Sequence, residues 1–420
     1  MAEPEIVVAN REHLWWLLAE AAQLEHMIMC QYLFAEFSLK SGDELSADQA
    51  DVVDGWRKTL RGIAVEEMLH LALVANLMSA IGAAPSFGRP NFPRRSGYFP
   101  AAVQLDLLPF GEPALLHFLY LERPEGMERQ DAEGFVPTAP PLEPLQADEA
   151  MPHGQEFATV GHLYRGIERG LATLADRIGQ RALFVGSPRA QATPQRFRWP
   201  QLVAVTDLAT AQAAIDEIIE QGEGARGDWQ HAHYGRFLTM WQDYHQLRAQ
   251  DPSFQPTRPV LPAYSRQPFD LTDPVPIITD PHTRQVAELA ALSYELVLHV
   301  LTRFFTHTDE TDQQLDVLVG AAIDTMAGVL RPLATTLTSR PVGPEHPERT
   351  AGFSFEMFYT MGNLVPWREP AWALLHERAA ILADRCAQLP ADAATAAEHA
   401  AATAASLAAH VPTDLQAIVL

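Results

Sequence analysis

The sequence predicts an all-α protein, a helical bundle with a long crossover followed by a second, C-terminal helical domain. Three observations support this prediction. Long segments repeat their apolar residues with the 3.6-residue period of an amphipathic helix. Strand-like alternation is confined to short pieces, at Val103–Leu107 and Leu202–Val205. The chain has 420 residues, more than one helical core usually occupies, so we expect two domains.

The first domain is predicted to contain five long helices. The first two run from Glu12 to Lys40 and from Ser46 to Ile81, and glycines that favour helix termination follow both. A long stretch rich in Pro and Gly comes next, with a short helix around Pro113–Leu121. Such a length is typical of a crossover between two helical pairs, so we expect a crossover here and a pocket beneath it. The remaining helices are predicted at Val160–Ile178, Leu208–Glu220 and Asp228–Ala249.

The rest of the chain is predicted to form a linker and a second helical domain. Residues 251–282 are rich in proline, which indicates an extended segment on the surface. We therefore divide the sequence into a bundle at residues 1–250, this linker, and a C-terminal helical bundle at residues 283–420. Helices of the last part are predicted at Arg284–Phe305, Asp312–Leu337 and Ala371–Gln388. The Ala-rich end that follows is either a packed terminal helix or a loosely held one.

Composition excludes several classes of partner and site. The net charge of −23 argues against nucleic acid or an anionic membrane as the partner, because phosphate binding needs clustered Lys and Arg. Two cysteines, Cys30 and Cys386, cannot make a disulfide framework or a Cys-based zinc site. Neither a signal peptide nor a transmembrane run is recognisable. We expect a cytoplasmic protein with a small-molecule substrate. The protein is also compatible with a homo-oligomeric state.

The second predicted helix carries polar residues where its inward stripe should be apolar. Stepping by three and four residues from Leu60 to Ile81 gives an apolar stripe interrupted only by Glu67 and His70. Burying a bare carboxylate is costly unless a partner pairs with it. A Glu and a His at i, i+3 reach one point from one helix face, so a metal ion is a natural partner. A buried Glu–His ion pair is the alternative.

Other segments repeat this anomaly. Glu25 interrupts the apolar stripe in the middle of the first helix. Gln230 and His233 take inward positions at i, i+3 in the helix predicted at Asp228–Ala249. Glu223 continues the apolar phase of the preceding helix and lies between two glycines, which allow the backbone to approach a ligand closely. Polar residues in apolar faces are therefore a recurring feature of this domain.

Several such residues together are typical of carboxylate-bridged dimetal bundles, in which facing helices each contribute a Glu and two of them carry Glu-x-x-His. Hard carboxylate oxygens with one imidazole per metal favour iron or manganese, as one or two ions. Glu66 points beside the stripe of its helix. We therefore expect it to support a neighbouring ligand and not to bind the metal itself.

These segments resemble a known family. LLAEAAQLEHMIMCQYL, IAVEEMLHLALVANLMSAIGAAP, IIEQGEG and HAHYGRF are similar to the ferritin-like domain of the iminophenyl-pyruvate dimer synthase type. The resemblance covers residues 11–247, and GFSFEMFYTMGNLV of the second domain also looks similar. It implies a ferritin-like four-helix bundle, and a relation to enzymes of bisindole pigment and alkaloid pathways. The positions that the resemblance assigns to metal are Glu25, Glu67, His70, Glu223 and His233.

The third helix departs from the family pattern. Where the family pattern has Glu, this chain has His162. His162 is either a metal ligand or, three residues after Thr159, the partner in a capping box. Glu168, nearer the apolar stripe of this helix, is the alternative ligand.

A second departure concerns charge. Where the family often has Glu-x-x-His, this chain has Gln230 and His233. Two divalent ions bring four positive charges, and Glu25, Glu67 and Glu223 supply three carboxylates. The site therefore holds one metal ion tightly, or two with help from hydroxide or a substrate carboxylate, or has lost its metal.

Three functions are compatible with the sequence. The first is a metal-dependent oxidoreductase that acts on a small organic, amino-acid-derived aromatic substrate. The second is the imine coupling that the resemblance implies, and the third is a non-catalytic scaffold with a decayed metal site. Five aromatic residues either line the cavity or belong to the core. They are Tyr32, Tyr98, Phe99, Tyr164 and Phe237.

Overall fold

The computed structural model describes residues 5–95, 103–128, 145, 153–224, 228–358, 364–389 and 393–416. Tyr98 and Phe99 lie outside these residues. The chain divides into two compact units, the first formed by Met1–Pro85 and Phe92–Thr257, the second by Ser86–Asn91 and Arg258–Leu420. Helices dominate both units, and the strands that the described residues form make two small two-stranded sheets. The predicted all-α class is confirmed.

The first unit contains eight helices among its described residues. They are α1 (Arg11–Ser38), α2 (Ala47–Ala80), α3 (Glu112–Leu121), α4 (Val160–Ile178), α5 (Gln180–Leu183), α6 (Pro194–Phe197), α7 (Leu208–Gly222) and α8 (His233–Gln250). Strands β1 (Arg94–Arg95) and β2 (Gln104–Leu105) pair antiparallel within the crossover between α2 and α4.

Helices α1, α2, α4 and α7 form the bundle. α1 packs along α2, α4 packs on α7, and the two pairs meet through α1 with α4 and α2 with α7. α3 lies in the crossover and packs against α8. Most residues of α1 are buried. Besides its contacts in the bundle, α1 is bonded to the crossover, where Gln31 donates to the Asp106 carbonyl and Ser38 Oγ accepts from the Phe110 amide. The predicted four-helix bundle with a long crossover is confirmed, and α3 matches the short helix predicted in that crossover.

α8 begins at His233, five residues later than the predicted start at Asp228. Gly224 has a φ of +84° and lies so close to Trp229 that a Cβ there would come within 2.6 Å of its Cα. The chain therefore turns before α8, and Ala232 caps the helix in an extended conformation. Gln230 lies in this turn with an exposed side chain. It does not share a helix face with His233, which corrects the predicted pair.

The strand predicted at Leu202–Val205 does not form in the described part of the chain. Its backbone groups find side-chain partners instead of a neighbouring strand. The Asn76 side-chain amide donates to the Val203 carbonyl at 2.9 Å, and the Val205 amide donates to Gln191 Oε1 at 2.9 Å. Because side chains satisfy these groups, the segment needs no sheet.

The second unit is helical with one small sheet. Its described helices are α9 (Pro281–Phe305), α10 (Asp312–Asp324), α11 (Arg331–Leu337), α12 (Arg368–Ala387), α13 (Ala394–Ala408) and α14 (Thr413–Gln416). A π-helical segment, Thr325–Leu330, joins α10 to α11. β3 (Val260–Ala263) and β4 (Thr350–Phe353) pair in parallel, so part of the proline-rich stretch belongs to this unit. The prediction that the C-terminal part of the chain forms a second, helical domain is confirmed.

The Ala-rich end packs as a helix. Ala396, Ala400 and Leu407 of α13 are buried, which decides between the two alternatives that the sequence left open.

Two helical stretches, Ala47–Ala80 and Asp312–Leu337, are long and apolar enough to cross a membrane. Most of each apolar window is buried inside the protein, 83% and 56% respectively, so these helices are weak evidence for a membrane.

Candidate metal centre

The first group of potential ligands comes from the middle of α1 and α2. Glu25, Glu67 and His70 are buried, and one ligand atom from each lies within 4.8 Å of the others. His70 Nδ1 is 2.9 Å from Glu67 Oε2 and 3.5 Å from Glu25 Oε2. The two carboxylates and the imidazole therefore converge on one point, as the helical stripes predicted.

The second group combines α2 with two helix ends. Glu67, Glu122 and His233 are buried and also offer three atoms within 4.8 Å of one another. His233 Nδ1 lies 2.8 Å from Glu67 Oε1 and 3.6 Å from Glu122 Oε1. Glu122 follows the last residue of α3, and His233 is the first residue of α8. Each group thus contains two carboxylates and one imidazole.

Glu67 belongs to both groups. Its Oε2 faces His70 and its Oε1 faces His233, whose rings lie 5.5 Å apart at an angle of 26°. A carboxylate with one oxygen close to each of two imidazole groups could serve as a ligand to two ions. The arrangement therefore resembles a dinuclear site more than a simple ion pair.

A second observation, the unbonded ring nitrogen of His233, also indicates that these residues suit a metal ion. His233 Nδ1 is buried and 2.8 Å from a carboxylate oxygen, yet the directions of the two groups do not meet the geometry of a hydrogen bond. A buried polar atom without a hydrogen-bond partner is costly. A cation between the imidazole nitrogen and the carboxylates would satisfy it, and this donor set of oxygens and imidazoles suits iron or manganese.

The charges of the cluster are strongly coupled. Burial, reinforced by the nearby charge of Glu67, raises the pKa of Glu25 to about 8. Burial alone would lower the pKa of His70, but Glu67 and Glu25 outweigh it and raise the pKa to about 10. His70 and His233 in turn hold the pKa of Glu67 well below its usual range, against the effect of burial. Protons and carboxylates thus balance one another, and an incoming metal ion would have to displace those protons.

Both imidazoles are oriented from outside the cluster. His233 Nε2 is 2.9 Å from Glu66 Oε2, and Glu66 also pairs with Arg236. His70 Nε2 is 3.1 Å from the side-chain oxygen of Gln221. Burial alone would raise the pKa of Glu66, but the bonds with His233 and Arg236 lower it to about 2, so this carboxylate stays charged. Such outer partners fix the ring and the tautomer of a ligating histidine.

Glu223 lines the same cavity as Glu25, Glu67, His70 and Glu122, but its carboxylate is held elsewhere. The Gly161 amide donates to Glu223 Oε1 at 2.6 Å, and the Glu125 amide donates to Oε2 at 3.0 Å. Burial raises the pKa of Glu223 to about 7 despite these bonds. Glu223 thus lies beside the two groups and belongs to neither.

Two further predicted candidates lie apart from both groups. The His162 amide donates to the Thr159 hydroxyl at 3.1 Å, and His162 Nδ1 accepts from the Ala158 amide at 3.2 Å. Thr159 thus caps α4, and the His162 ring bonds to the residue before the cap, so His162 serves the start of its helix in a variant of the predicted capping box. Glu168 pairs with Arg165 at 3.0 Å on a partly exposed face of α4.

Sequence reasoning missed Glu122. A signal was available, because Leu115, Phe118, Leu119 and Glu122 form one helical stripe that a carboxylate interrupts at its end. Glu122 takes the place that charge arithmetic left empty, since Glu25, Glu67, Glu122 and Glu223 together make four buried carboxylates around one cavity.

A comparison with protein families shows to which family the chain belongs. The family model described as Ferritin-like matches residues 18–242, more than half of the chain, and this range includes every residue of the two ligand groups. The chain belongs to the ferritin-like family. The fold and the helices that carry Glu25, Glu67 and His70 are therefore those that the family resemblance implied.

Two curated relatives of this ferritin-like chain are named as enzymes, a synthase and a dimerase of small molecules. Dichlorochromopyrrolate synthase of Lentzea aerocolonigenes is 27% identical over 384 residues, covering 83% of this chain and 36% of the relative. The 2-imino-3-(indol-3-yl)propanoate dimerase of Chromobacterium violaceum is 28% identical over 354 residues, covering 80% of this chain and 33% of the relative. The chain spans about a third of the length of these relatives. They confirm the resemblance to the iminophenyl-pyruvate dimer synthase type.

Among solved structures, a ferritin-like protein from Caulobacter vibrioides is similar, with a TM-score of 0.45 and 17% identity. The match covers 75% of this chain and 96% of that one. It adds nothing to the assignment, which rests on the family model.

Proposed function

We propose that the ferritin-like unit binds two divalent ions, iron or manganese, and uses them to oxidise a small organic substrate, with dioxygen as the oxidant that accepts the electrons. In this proposal Glu67 would be a ligand to both ions, since it belongs to both ligand groups. Glu25 and His70 complete one position, and Glu122 and His233 complete the other. The position of Glu67, with one oxygen toward each imidazole, is the observation that carries the proposal.

Charge balance supports two ions. Four carboxylates, Glu25, Glu67, Glu122 and Glu223, surround the cavity and match the four positive charges of two divalent ions. To bind metal, Glu223 would have to leave its present hydrogen bonds to the Gly161 and Glu125 amides. We propose that Glu223 is an additional ligand, which would bind metal only after its side chain moves.

The bound ions would supply the redox chemistry, and the chain would supply a dry, shaped cavity. Tyr164, Ile28 and Ile219 line that cavity beside the carboxylates. Excluding water strengthens every charge interaction inside it and protects a reactive species from side reactions. A cytoplasmic location and an amino-acid-derived aromatic substrate are part of the same proposal.

Imine coupling is a second candidate, and the names of the two curated relatives favour it. The two candidates differ in product. Oxidation alone returns a monomeric product, whereas coupling returns a product that contains two substrate units. Incubating the metal-loaded chain with the imine of an aromatic amino acid, and weighing the products by mass spectrometry, separates them.

The test of the metal site is a metal analysis of Glu67→Gln beside the wild type. After anaerobic loading with Fe(II) and desalting, we expect about two ions per wild-type chain and fewer than one in Glu67→Gln, since the variant loses the shared ligand. Glu20→Gln is the matched control. Glu20 is a largely buried carboxylate on α1 with its pKa raised by burial to about 7, and it belongs to neither ligand group.

A metal-free wild type, with Glu67→Gln as stable as the wild type or more so, would contradict the proposal. That result would favour the non-catalytic scaffold. Oxygen consumption by the Fe(II)-loaded wild type, absent in Glu67→Gln and retained in Glu20→Gln, would support oxidative chemistry.

A further inference from the structure

Two buried tyrosines contact the outer carboxylates of the candidate metal centre. The Tyr164 hydroxyl donates to Glu25 Oε1 at 2.5 Å, and the Tyr32 hydroxyl donates to Glu122 Oε1. Glu25 and Glu122 are the carboxylates that are not shared between the two ligand groups. Each ligand group therefore has one tyrosine of its own.

Each of these bonds joins two separate segments. Tyr164 lies on α4 and Glu25 on α1, whereas Tyr32 lies on α1 and Glu122 follows α3. Both tyrosines are fully buried. A bond of this kind fixes a carboxylate that its own helix leaves free to rotate.

The ring of Tyr32 is itself held in place. It packs edge-on against Phe118 of α3, with ring centroids 4.7 Å apart, and against Phe237 of α8 at 4.9 Å. α3 leads to Glu122, and α8 begins at His233. Tyr32 thus lies between the two helices whose ends supply the second ligand group.

At Glu25 the bond leaves one oxygen for the cluster. Oε1 accepts from Tyr164, while Oε2 faces His70 Nδ1 at 3.5 Å. At Glu122 the same oxygen that accepts from Tyr32 is 3.6 Å from His233 Nδ1. The two tyrosines therefore restrain their carboxylates in different ways.

We propose that Tyr164 and Tyr32 are positioning residues that set the two metal positions separately, Tyr164 through Glu25 and Tyr32 through Glu122. This inference rests on the proposed function. It adds that the two positions have independent supports, so that one can be weakened without the other. A hydroxyl that merely satisfies its own hydrogen bond would not have this selectivity.

The experiment is a calorimetric titration with Mn(II) of the full chain, its Tyr32→Phe and Tyr164→Phe variants, and Tyr264→Phe as a buried-tyrosine control from the second unit. We expect each site variant to weaken one of two binding steps by about tenfold to a hundredfold, the usual effect of losing an outer partner of a metal ligand. The control should titrate like the wild type.

Combined variants test the pairing. Tyr32→Phe should cost little further affinity in Glu122→Gln, and its full effect should persist in Glu25→Gln, because only partners couple in a double-mutant cycle. The opposite pattern is expected for Tyr164→Phe. Thermal unfolding of each metal-free variant checks that the fold is retained, and the replacement of a hydroxyl by hydrogen keeps the ring packing.

Each outcome decides one question. If the wild type does not bind two ions, the proposed function falls and the inference falls with it. If the wild type binds two ions but each tyrosine variant weakens both steps equally, or neither, the proposed function stands and the separate supports are overturned.

Discussion

At the scale of single residues, the buried charges of the site are its main energetic cost. Glu25, Glu67, Glu122, His70 and His233 are almost completely excluded from water. Removing one partner of such a set leaves an uncompensated buried charge, which is far more costly than losing a surface ion pair. The cluster therefore has to be neutralised, by protons or by metal ions, and the two compete.

That competition predicts how metal binding depends on pH. The pKa of Glu25 is raised to about 8 and that of His70 to about 10, so both groups carry protons at neutral pH that a metal ion must displace. We expect Mn(II) affinity to increase with pH, by about tenfold per pH unit for each proton released. Titrations between about pH 6 and about pH 8 measure the slope. Affinity that is constant or decreases over this range would contradict the protonation of the cluster.

The sign for stability follows from the same shifts. Glu25 has a folded pKa above its unfolded one, so the folded chain retains a proton that the unfolded chain loses, and metal-free stability falls as pH rises from 4.5 to about 8. The stabilisation from His70 is fully present below 6.5 and is lost as pH rises through about 10. Stabilisation by added metal should increase over the same range.

Gly161 has a role that can be tested separately. A Cβ at this position would lie 2.3 Å from Glu223 Oε2, so Gly161→Ala should expel the Glu223 carboxylate from the start of α4. We expect a loss of about 1–3 kcal/mol in the free energy of unfolding, the cost of stripping a buried group of its hydrogen bonds. Urea unfolding measures this loss.

The control for Gly161→Ala is Gly62→Ala on α2, where a Cβ would meet nothing within 4 Å. That substitution should stabilise the helix by up to about 1 kcal/mol. In a Glu223→Ala background the penalty of Gly161→Ala should shrink, because the clashing carboxylate is gone. An unchanged penalty there would refute the clash as its cause.

At the scale of elements, the site uses helix interiors and helix ends differently. Glu25, Glu67 and His70 come from the middle of long helices, where periodicity sets their direction. Glu122 and His233 come from the end of α3 and the start of α8. The periodicity of a helix does not specify where the helix ends, and the start of α8 is set by the close approach of Gly224 to Trp229.

A second element-scale feature is the packing of α13 against the π-helical segment. A Cβ at Gly328 in that segment would lie 2.3 Å from the ring of His399 on α13, whereas at Gly320 in α10 it would meet nothing within 4 Å. Gly328→Ala should therefore destabilise the second unit by about 1–3 kcal/mol through overpacking, although alanine is the better helix former.

Gly320→Ala is the matched control on the same continuous helical stretch, and it should stabilise by up to about 1 kcal/mol. Thermal unfolding of the two variants beside the wild type makes the comparison. Stabilisation by both substitutions would show that α13 does not pack closely at Gly328.

At the scale of the whole molecule, a short piece of the crossover belongs to the second unit. The Asn91 side-chain amide donates to Asp270 Oδ1 at 2.8 Å and to the Met357 carbonyl at 3.0 Å, and its oxygen accepts from the Met357 amide at 2.7 Å. Arg89 adds bonds to Tyr294 and to the Phe355 carbonyl. The units are therefore not consecutive pieces of sequence.

This interleaving predicts the effect of Asn91→Ala. The substitution removes three side-chain hydrogen bonds of the second unit, each of which leaves a partner unsatisfied, so we expect a loss of about 2–4 kcal/mol from that unit. Metal binding should be unchanged, since none of these residues belongs to a ligand group. Thermal unfolding and a Mn(II) titration measure the two effects. Loss of metal binding with intact stability would contradict the assignment of residues 86–91.

The sequence by itself determined the features that depend on local periodicity. The all-α class, the long helices, the crossover and the interruption of apolar stripes at Glu25, Glu67 and His70 all follow from the spacing of residues along one helix. A helical stripe specifies its inward side whatever packs against it. For this reason the part of the site that lies within α1 and α2 could be predicted.

Only the tertiary structure decided which other residues join them. Glu122 replaces the expected partner Gln230, which lies in an exposed turn, and Glu223 is bound to the backbone beside the site. The backbone and ring of His162 are both hydrogen-bonded at the start of its own helix. These residues lie at helix ends and in connections, where a side chain has no periodic direction and its position follows from long-range contacts. Of the two metal positions proposed here, the residues from α1 and α2 follow from helical spacing. The residues Glu122 and His233 follow from the packing of the crossover and α8 against the bundle.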